Sequence, residues 1–505
     1  MNEKEIIIYH TNDMHGRVST HDENEKSIGI DRISKIVNLS LLKNKNTFWF
    51  DAGDFTHGTP RMTSVSREII INMLNATPLN AICTGNHDYN LSMENLYQLS
   101  KDLNGHVLSA NTLDEKTKAH VLLPYMVYSI DLNQDDYLDA SGNSNDNKID
   151  NLNIGVFGLS TPETKYKTNP NNVKGIEFAN PIETAKNMTE LLRKNCHIVI
   201  ALSHLGLDKS SEFTSERLAK EVHGIDLIID GHSHTILEHG MKVNNTVIVQ
   251  AGAHGEFLGK VILKIKDKSI KNISAELLDQ NDIDKIISTS DVHIENKLCN
   301  IDKIANDIMS RIVAHSNKAL PGDRELVRQK EAELGNMVAD ALRWKTNADI
   351  AMINGGTLRT GLPAGDITFK DLISIFPFEN KLQIAEIKGF IIKQVLEHSV
   401  FSVPASFGGF MDISNMTFSF NINAPVGHKV KNIKIHNETL DLNKTYTIAT
   451  VDFMFSGGDG YEMLKGLNII SEYGNIENIV AEYLNKFGVT ENIKVGRITV
   501  ENKTE

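Results

Sequence analysis

The chain has 505 residues, too many for one ordinary hydrophobic core, so two domains are expected. Its composition, 40% hydrophobic and 23% charged, is that of a soluble globular protein, and a formal net charge of −13 excludes a nucleic-acid polymer as partner. A small anionic substrate held by a few local cations or metals is compatible with that charge. Cys83, Cys196 and Cys299 are too few and too scattered for a disulfide framework. No secretory leader precedes the first strand, and no apolar run approaches the roughly 20 residues of a membrane span. A cytoplasmic location without a membrane partner is expected.

From residue 5 to about 280, short apolar runs alternate with helical patterns. Ile6–Tyr9 reads as the first strand and leads into His10-Thr11-Asn12-Asp13-Met14-His15. Thr47–Phe50 leads into Asp51-Ala52-Gly53-Asp54, and Gly85-Asn86-His87-Asp88 follows. Residues 131–153, rich in Asp, Asn and Ser, read as a solvated hairpin tip or insertion without a catalytic role. Ile154–Gly158 is a further strand. Ile198–Leu202 precedes Ser203-His204, and Leu227–Ile229 precedes Gly231-His232-Ser233-His234. Runs apolar on both faces belong to sheets covered on both sides, which predicts a layered α/β domain with active residues on loops after strands.

These loops carry Asp, His and Asn side chains suited to a two-metal site that cleaves phosphate esters. Asp13 and His15 are two apart, as are His232 and His234, and in extended backbone such pairs face the same side. Asp54 and Asn86 each follow a glycine that permits close backbone approach, and His204 follows a strand. Asp54 is the candidate carboxylate bridging two ions about 3.5–4 Å apart. His87 is placed to contact the phosphate or protonate the leaving oxygen. His21, His57, His106, His120, His223, His239 and His254 lack such settings and read mostly as surface or capping residues. His254, in Ala251-Gly252-Ala253-His254-Gly255, is the one with a place to seek near the metals.

Ile294, Leu298, Ile301, Ala305, Ile308 and Ile312 are spaced four, three, four, three, four. This predicts a connecting helix over 291–315, about 37 Å long at about 1.5 Å per residue, with one apolar stripe. A second domain begins near 316. Glu333 to Thr346 places Leu334, Val338, Ala341 and Leu342 on one helical face, and Met416–Phe420 and Thr445–Ala449 alternate like strands.

The motifs, in this order, resemble the 5'-nucleotidase family of calcineurin-like metallophosphatases over nearly the whole chain. In the second half, Asn354-Gly355-Gly356-Thr357-Leu358-Arg359 looks like the family's Asn-Gly-Gly-Gly-Ile-Arg loop. Phe376-Pro377-Phe378 and the segment Asp452–Tyr461 look like its two base-stacking segments. The resemblance implies that Asp13, His15, Asp54 and His234 hold one divalent ion, and Asp54, Asn86, His204 and His232 a second. Mn and Zn are the expected metals, ahead of Fe, Co and Ni, which the same ligands accept. It implies that Phe378 and Phe453 sandwich the nucleobase, Asp459 binds the ribose hydroxyls, and Arg324, Arg328 and Arg359 bind phosphate with Asn354 nearby. Asn86, His87 and Arg359 then form the catalytic group. Aromatic faces stack on any base at about 1–3 kcal/mol, and guanidinium forks suit phosphate oxygens.

The sequence departs from the family at two places. Asn90 stands where the family's dyad has an Asp three residues after the histidine, as in its cyclic-phosphodiesterase branch, and Asn cannot stabilise an imidazolium as a carboxylate does. Thr357 replaces the third glycine of the loop. The expected architecture is a four-layer α/β/β/α metallophosphatase sandwich (1–285), a linker helix (286–315) and a C-terminal α/β nucleotide-binding domain (316–505). The expected activity is 5'-nucleotidase, releasing nucleoside and phosphate. The alternatives are a 2',3'-cyclic-nucleotide phosphodiesterase, a UDP-sugar pyrophosphatase or a non-catalytic nucleotide-binding protein.

Overall fold

The computed structural model describes residues 3–20, 27–56, 58–63, 65–131, 151–168, 170–209, 211–378, 380–489 and 493–501. The chain divides into two compact units, one of Met1–Thr168 with Asn172–Ile304, the other of Asn169–Asn171 with Ala305–Glu505. His21, His57 and residues 132–150 of the Asp-rich segment lie outside the described residues.

The first unit is built on two six-stranded sheets. One runs, edge to edge, Ser269–Leu278, Leu258–Lys266, Lys4–Thr11, Thr47–Asp51, Ala81–Cys83 and His106–Leu108. The other runs Met241–Val243, Thr246–Val249, Leu227–Asp230, Ile198–His204, Asn151–Ser160 and Tyr125–Asp131. Ile6, Ile8, Phe50 and Cys83 of the first sheet pack with Ile154, Ile200, Leu202 and Ile229 of the second in one core. On the outer face of the second sheet, Phe157, Leu159 and Ala201 meet Ile182, Ala185 and Leu192 of helix Pro181–Arg193 and Leu218 of helix Ser215–Glu221. Helix Ile30–Lys43 packs on the strand Thr47–Asp51 of the first sheet and buries Ile33, Ile36 and Val37. The result is the α/β/β/α sandwich. Strands Thr47–Asp51, Ile198–His204 and Leu227–Asp230 are buried at every position, because each lies inside a sheet covered on both faces.

The second unit holds a five-stranded mixed sheet in the order Met411–Ser414, Ile350–Asn354, Thr445–Val451, Lys381–Lys388 and Ile469–Asn475. Helix Glu333–Thr346 packs on its first two strands and buries Leu334, Val338, Ala341 and Leu342, the face read from the sequence. Asp412, fully buried, accepts the Ala332 N–H at 2.9 Å where that helix begins.

The connecting helix is shorter than its spacing predicts. It runs Val292–Met309, about 27 Å at about 1.5 Å per residue, and the division between the units falls within it. Ile294, Leu298, Ile301 and Ala305 are buried as expected, but Met309 rather than Ile308 continues the stripe. Ile312 is not helical. It opens the strand Ile312–Ser316, which pairs antiparallel with Gly365–Thr368. β-branched Ile312 and Val313 favour that pairing over another helical turn.

Candidate functional site

Each candidate ligand of the first unit sits at or just beyond a strand end. Asp13 and His15 follow Lys4–Thr11, and Asp54 follows Thr47–Asp51. Asn86 and His87 follow Ala81–Cys83, His204 ends Ile198–His204, and His232 and His234 follow Leu227–Asp230. The convergence does not come from extended alternation, as the i, i+2 spacing predicts. Asp13 (φ 49°), His15 (48°), Asp54 (56°), His232 (75°) and His234 (53°) are all left-handed. Asp and His tolerate that region better than most residues, yet such backbone costs on the order of 1 kcal/mol or more each and persists where the surroundings impose it.

The side chains meet at short range. His15 Nε2 lies 3.1 Å from His234 Nε2 and 3.9 Å from Asp13 Oδ1, while His234 Nε2 lies 3.5 Å from the same Oδ1. His204 Nε2 is 3.2 Å from Asp54 Oδ2 and 3.9 Å from Asp13 Oδ1. His15, Asp54 and His87 form a further convergent group. The ring of His204 lies 5.1 Å from that of His232, whose backbone N–H donates to both Asp13 oxygens.

Each Asp directs one oxygen inward. Asp54 Oδ1 accepts the His87 N–H at 2.7 Å, leaving Oδ2 toward the histidines. Asp13 Oδ2 accepts from Asn12 Nδ2, and Oδ1 lies toward His15, His204 and His234. Gly85 is required by this packing, since a Cβ there would stand 2.1 Å from Asp54 Oδ1. Burial lowers the His15 pKa to about 4. Burial would lower His204 too, but Asp54 and Asp13 outweigh it and push that imidazole up to about 10.

The arrangement fits divalent metal ions. Asn86 Oδ1 is buried without a hydrogen bond, His204 Nε2 faces Asp54 Oδ2 at 3.2 Å, and two imidazole nitrogens lie 3.1 Å apart. Asp13, His15 and His234, His15, Asp54 and His87, and Asp13, Asp54 and His204 form three groups, in each of which the candidate ligand atoms lie within 4.8 Å of one another.

Some supporting residues carried little signal in the sequence. Asp88, within a quoted motif but given no role, accepts the backbone N–H groups of Asp54, Phe55 and Gly85 and so joins two ligand loops. Burial and the nearby Asp54 raise its carboxyl to about 6. Asp51 accepts from Thr11 Oγ1 and Gly53 N. His254 belongs here: its ring centroid lies 5.6 Å from those of both His15 and His234, and its N–H donates to the Asp13 carbonyl. His120, His223 and His239 are exposed. Asn90 Nδ2 lies 3.2 Å from His87 Nδ1, while its Oδ1 accepts from Thr168 Oγ1 at 2.6 Å.

The second unit gathers the remaining candidates. Asn354 Nδ2 donates to Asp459 Oδ2 at 2.8 Å, and Thr357 Oγ1 donates to Asn354 Oδ1 at 2.5 Å. The threonine that replaces a glycine therefore holds the asparagine in place. Burial lowers the Arg328 pKa, and the guanidiniums of Arg324 and Arg359 lower it further; its buried Nε has no partner. Arg359 lies over the Phe378 ring, 5.3 Å from its centroid, and Phe378 is 38% exposed. The Phe453 ring lies against Gly458, where a Cβ would come within 2.3 Å of it. A loop the sequence reading passed over joins the group: Phe407 N–H donates to the Arg328 carbonyl and Gly356 N–H to the Gly408 carbonyl.

Residues 6–235 match the family model described as calcineurin-like phosphoesterase, and residues 312–466 match the 5'-nucleotidase C-terminal domain. The chain is 29% identical to the trifunctional nucleotide phosphoesterase protein YfkN of Bacillus subtilis, over 98% of its own length but 35% of that protein's. It is 27% identical to protein UshA of Yersinia enterocolitica, covering 95% of this chain and 91% of that one. A solved 5'-nucleotidase precursor from Thermus thermophilus superposes with a TM-score of 0.64 at 25% identity, over 99% of this chain and 100% of that one. A solved chain from Staphylococcus aureus, titled a putative 5'-nucleotidase, shares the fold with a TM-score of 0.73 at 20% identity, covering 99% and 100%. With two domain models matched in order along it, the chain belongs to the 5'-nucleotidase family of calcineurin-like metallophosphatases, hydrolases of nucleotide phosphate esters.

Proposed function

We propose that the protein is a 5'-nucleotidase that uses two divalent ions, Mn or Zn before Fe, Co or Ni, to release phosphate from nucleoside 5'-monophosphates. The observations that carry the two-ion reading are the buried Asn86 Oδ1, which has no hydrogen-bond partner, and the buried His204 Nε2, 3.2 Å from Asp54 Oδ2. Asp13, His15, Asp54 and His234 would hold one ion, and Asp54, Asn86, His204 and His232 the other. Such ions polarise phosphoryl oxygens and acidify water. His87 donates toward phosphate or the leaving oxygen, with Asn90 against its Nδ1. Arg324, Arg328 and Arg359 repel one another until an anion joins them, and Arg328 Nε offers that anion an unused donor. Phe378 and Phe453 present faces for a base, and Asp459, held by Asn354, accepts from a ribose diol. A cytoplasmic setting is in keeping with the three free thiols.

A second reading is favoured by Asn90. As a neutral partner for His87 it suits an ester whose leaving oxygen needs less help from an imidazolium, such as a 2',3'-cyclic nucleotide or a UDP-sugar. The deciding experiment is phosphate or nucleotide release from AMP, UMP, a 2',3'-cyclic nucleotide, a UDP-sugar and an aryl phosphate. The protein is first stripped of metal and then refilled with Mn or Zn. Metal-dependent preference for monophosphates is expected; preference for the cyclic ester or the sugar nucleotide would transfer the assignment to the second reading. Binding without release from any substrate would leave only a nucleotide-binding protein.

A further inference from the structure

Glu163 is a carboxylate beside the ligand cluster that the assignments above leave unused. It lies in the turn leaving the strand Asn151–Ser160. That turn is closed on itself: the Thr161 carbonyl accepts from Thr164 N at 3.2 Å and from Thr164 Oγ1 at 2.7 Å. The Thr161 hydroxyl accepts the Glu163 N–H at 3.3 Å. From this fixed backbone, Glu163 Oε2 reaches within 3.4 Å of His232 Nε2, with side-chain exposures of 14% and 5%.

A neutral imidazole has one donor nitrogen and one acceptor nitrogen. A carboxylate accepts only, so Glu163 holds the His232 proton on Nε2 and leaves the lone pair on Nδ1. His204 is held the other way round: its Nδ1 lies 2.7 Å from the Ala52 carbonyl, which can only accept, and Nε2 is the nitrogen turned to Asp54 Oδ2, 3.2 Å away. The two rings, 5.1 Å apart, are thus held through opposite nitrogens by two acceptors from different parts of the chain. Resting on the two-ion reading of this site, we propose that Glu163 is a positioning residue that fixes His232 as a ligand through Nδ1 and so tunes retention of the second ion. Carboxylates behind metal-ligating histidines orient the ring and raise its basicity, and their loss typically weakens metal binding 10–100-fold, on the order seen for such partners.

The test is metal binding by the full chain without substrate. Metal-stripped wild type, Glu163→Gln and Glu163→Ala are titrated with Mn by calorimetry, and the spin-coupled two-ion signal is followed by electron paramagnetic resonance. Wild type should take two equivalents. Glu163→Ala should bind one ion normally and the other about 10–100-fold more weakly, losing the coupled signal. Glu163→Gln, isosteric and still able to accept from Nε2–H, should recover part of the loss. Two equivalents at wild-type affinity in Glu163→Ala would overturn the proposal. So would equal weakening of both ions with a lower melting temperature of the metal-free protein, which marks a structural role. Fewer than two ions on wild type would instead bring down the two-ion reading itself.

Discussion

At the scale of single residues, the hydrogen bonds around His87 give the departure at position 90 a physical meaning. Thr168 Oγ1 donates to Asn90 Oδ1, which turns the amide nitrogen toward His87 Nδ1. An aspartate there would accept from Nδ1–H, favour an imidazolium and still receive the Thr168 hydroxyl. Asn90→Asp should therefore raise kcat on 5'-monophosphates several-fold relative to a cyclic nucleotide, measured as phosphate release at saturating substrate. An unchanged ratio would remove Asn90 from the account of specificity. Phe453→Ala should raise KM for AMP by the equivalent of about 1–3 kcal/mol while changing KM for an aryl phosphate far less. Equal losses would mean that the ring, packed on Gly458, serves only the fold. The candidate ligands stand out in the sequence because donors of metal-binding type recur after apolar runs. The residues that hold those donors were less legible. Glu163 and Thr168 act through a single oxygen each and Asp88 through two, and nothing in their spacing distinguishes them from solvated polar residues.

Elements read well where burial is periodic and poorly where backbone geometry decides. Helix Glu333–Thr346 has the bounds its apolar face predicts, while the connecting helix yields at Met309 because a strand partner, Gly365–Thr368, lies far along the chain and leaves no local trace. The left-handed turns at the ligand loops are equally hidden, since Asp and His enter that region without announcing it as glycine would. One element makes a test of its own. Asp412 caps the start of helix Glu333–Thr346 from a neighbouring strand, and burial raises its carboxyl well above the usual range. Below the ordinary carboxylate pKa both states are protonated and the shift is without effect. As pH rises above it, the unfolded chain releases a proton that folded Asp412 retains, so stability falls with pH until the raised pKa is passed. Asp412→Asn keeps an acceptor for Ala332 and should flatten that fall in denaturant midpoints taken from pH 5 to about 8. Asp412→Ala should cost about 1–3 kcal/mol by leaving the buried N–H unpaired. A parallel pH profile in Asp412→Asn would show that Asp412 is ionised in the fold.

For the whole molecule, each unit has its own core, and the candidate ligands all belong to the first. Ions bound only by the folded state stabilise it by mass action, about 4 kcal/mol at 1,000 times Kd. Chelation should therefore lower one calorimetric transition of the full chain and leave the other in place; a uniform shift of a single transition would show that the cores melt as one. Among the described residues no helix is long and apolar enough to cross a membrane. The proposed division of labour follows the numbering as well. Every candidate metal ligand precedes residue 235, and every candidate for recognising base or ribose follows residue 377. Inheritance can then work on the two tasks separately. A lineage can drift in the nucleotides it accepts by mutations confined to the later stretch, while the bond-breaking apparatus stays under undiminished selection. Recombination near the joining helix would hand a new specificity to an old hydrolase in one event.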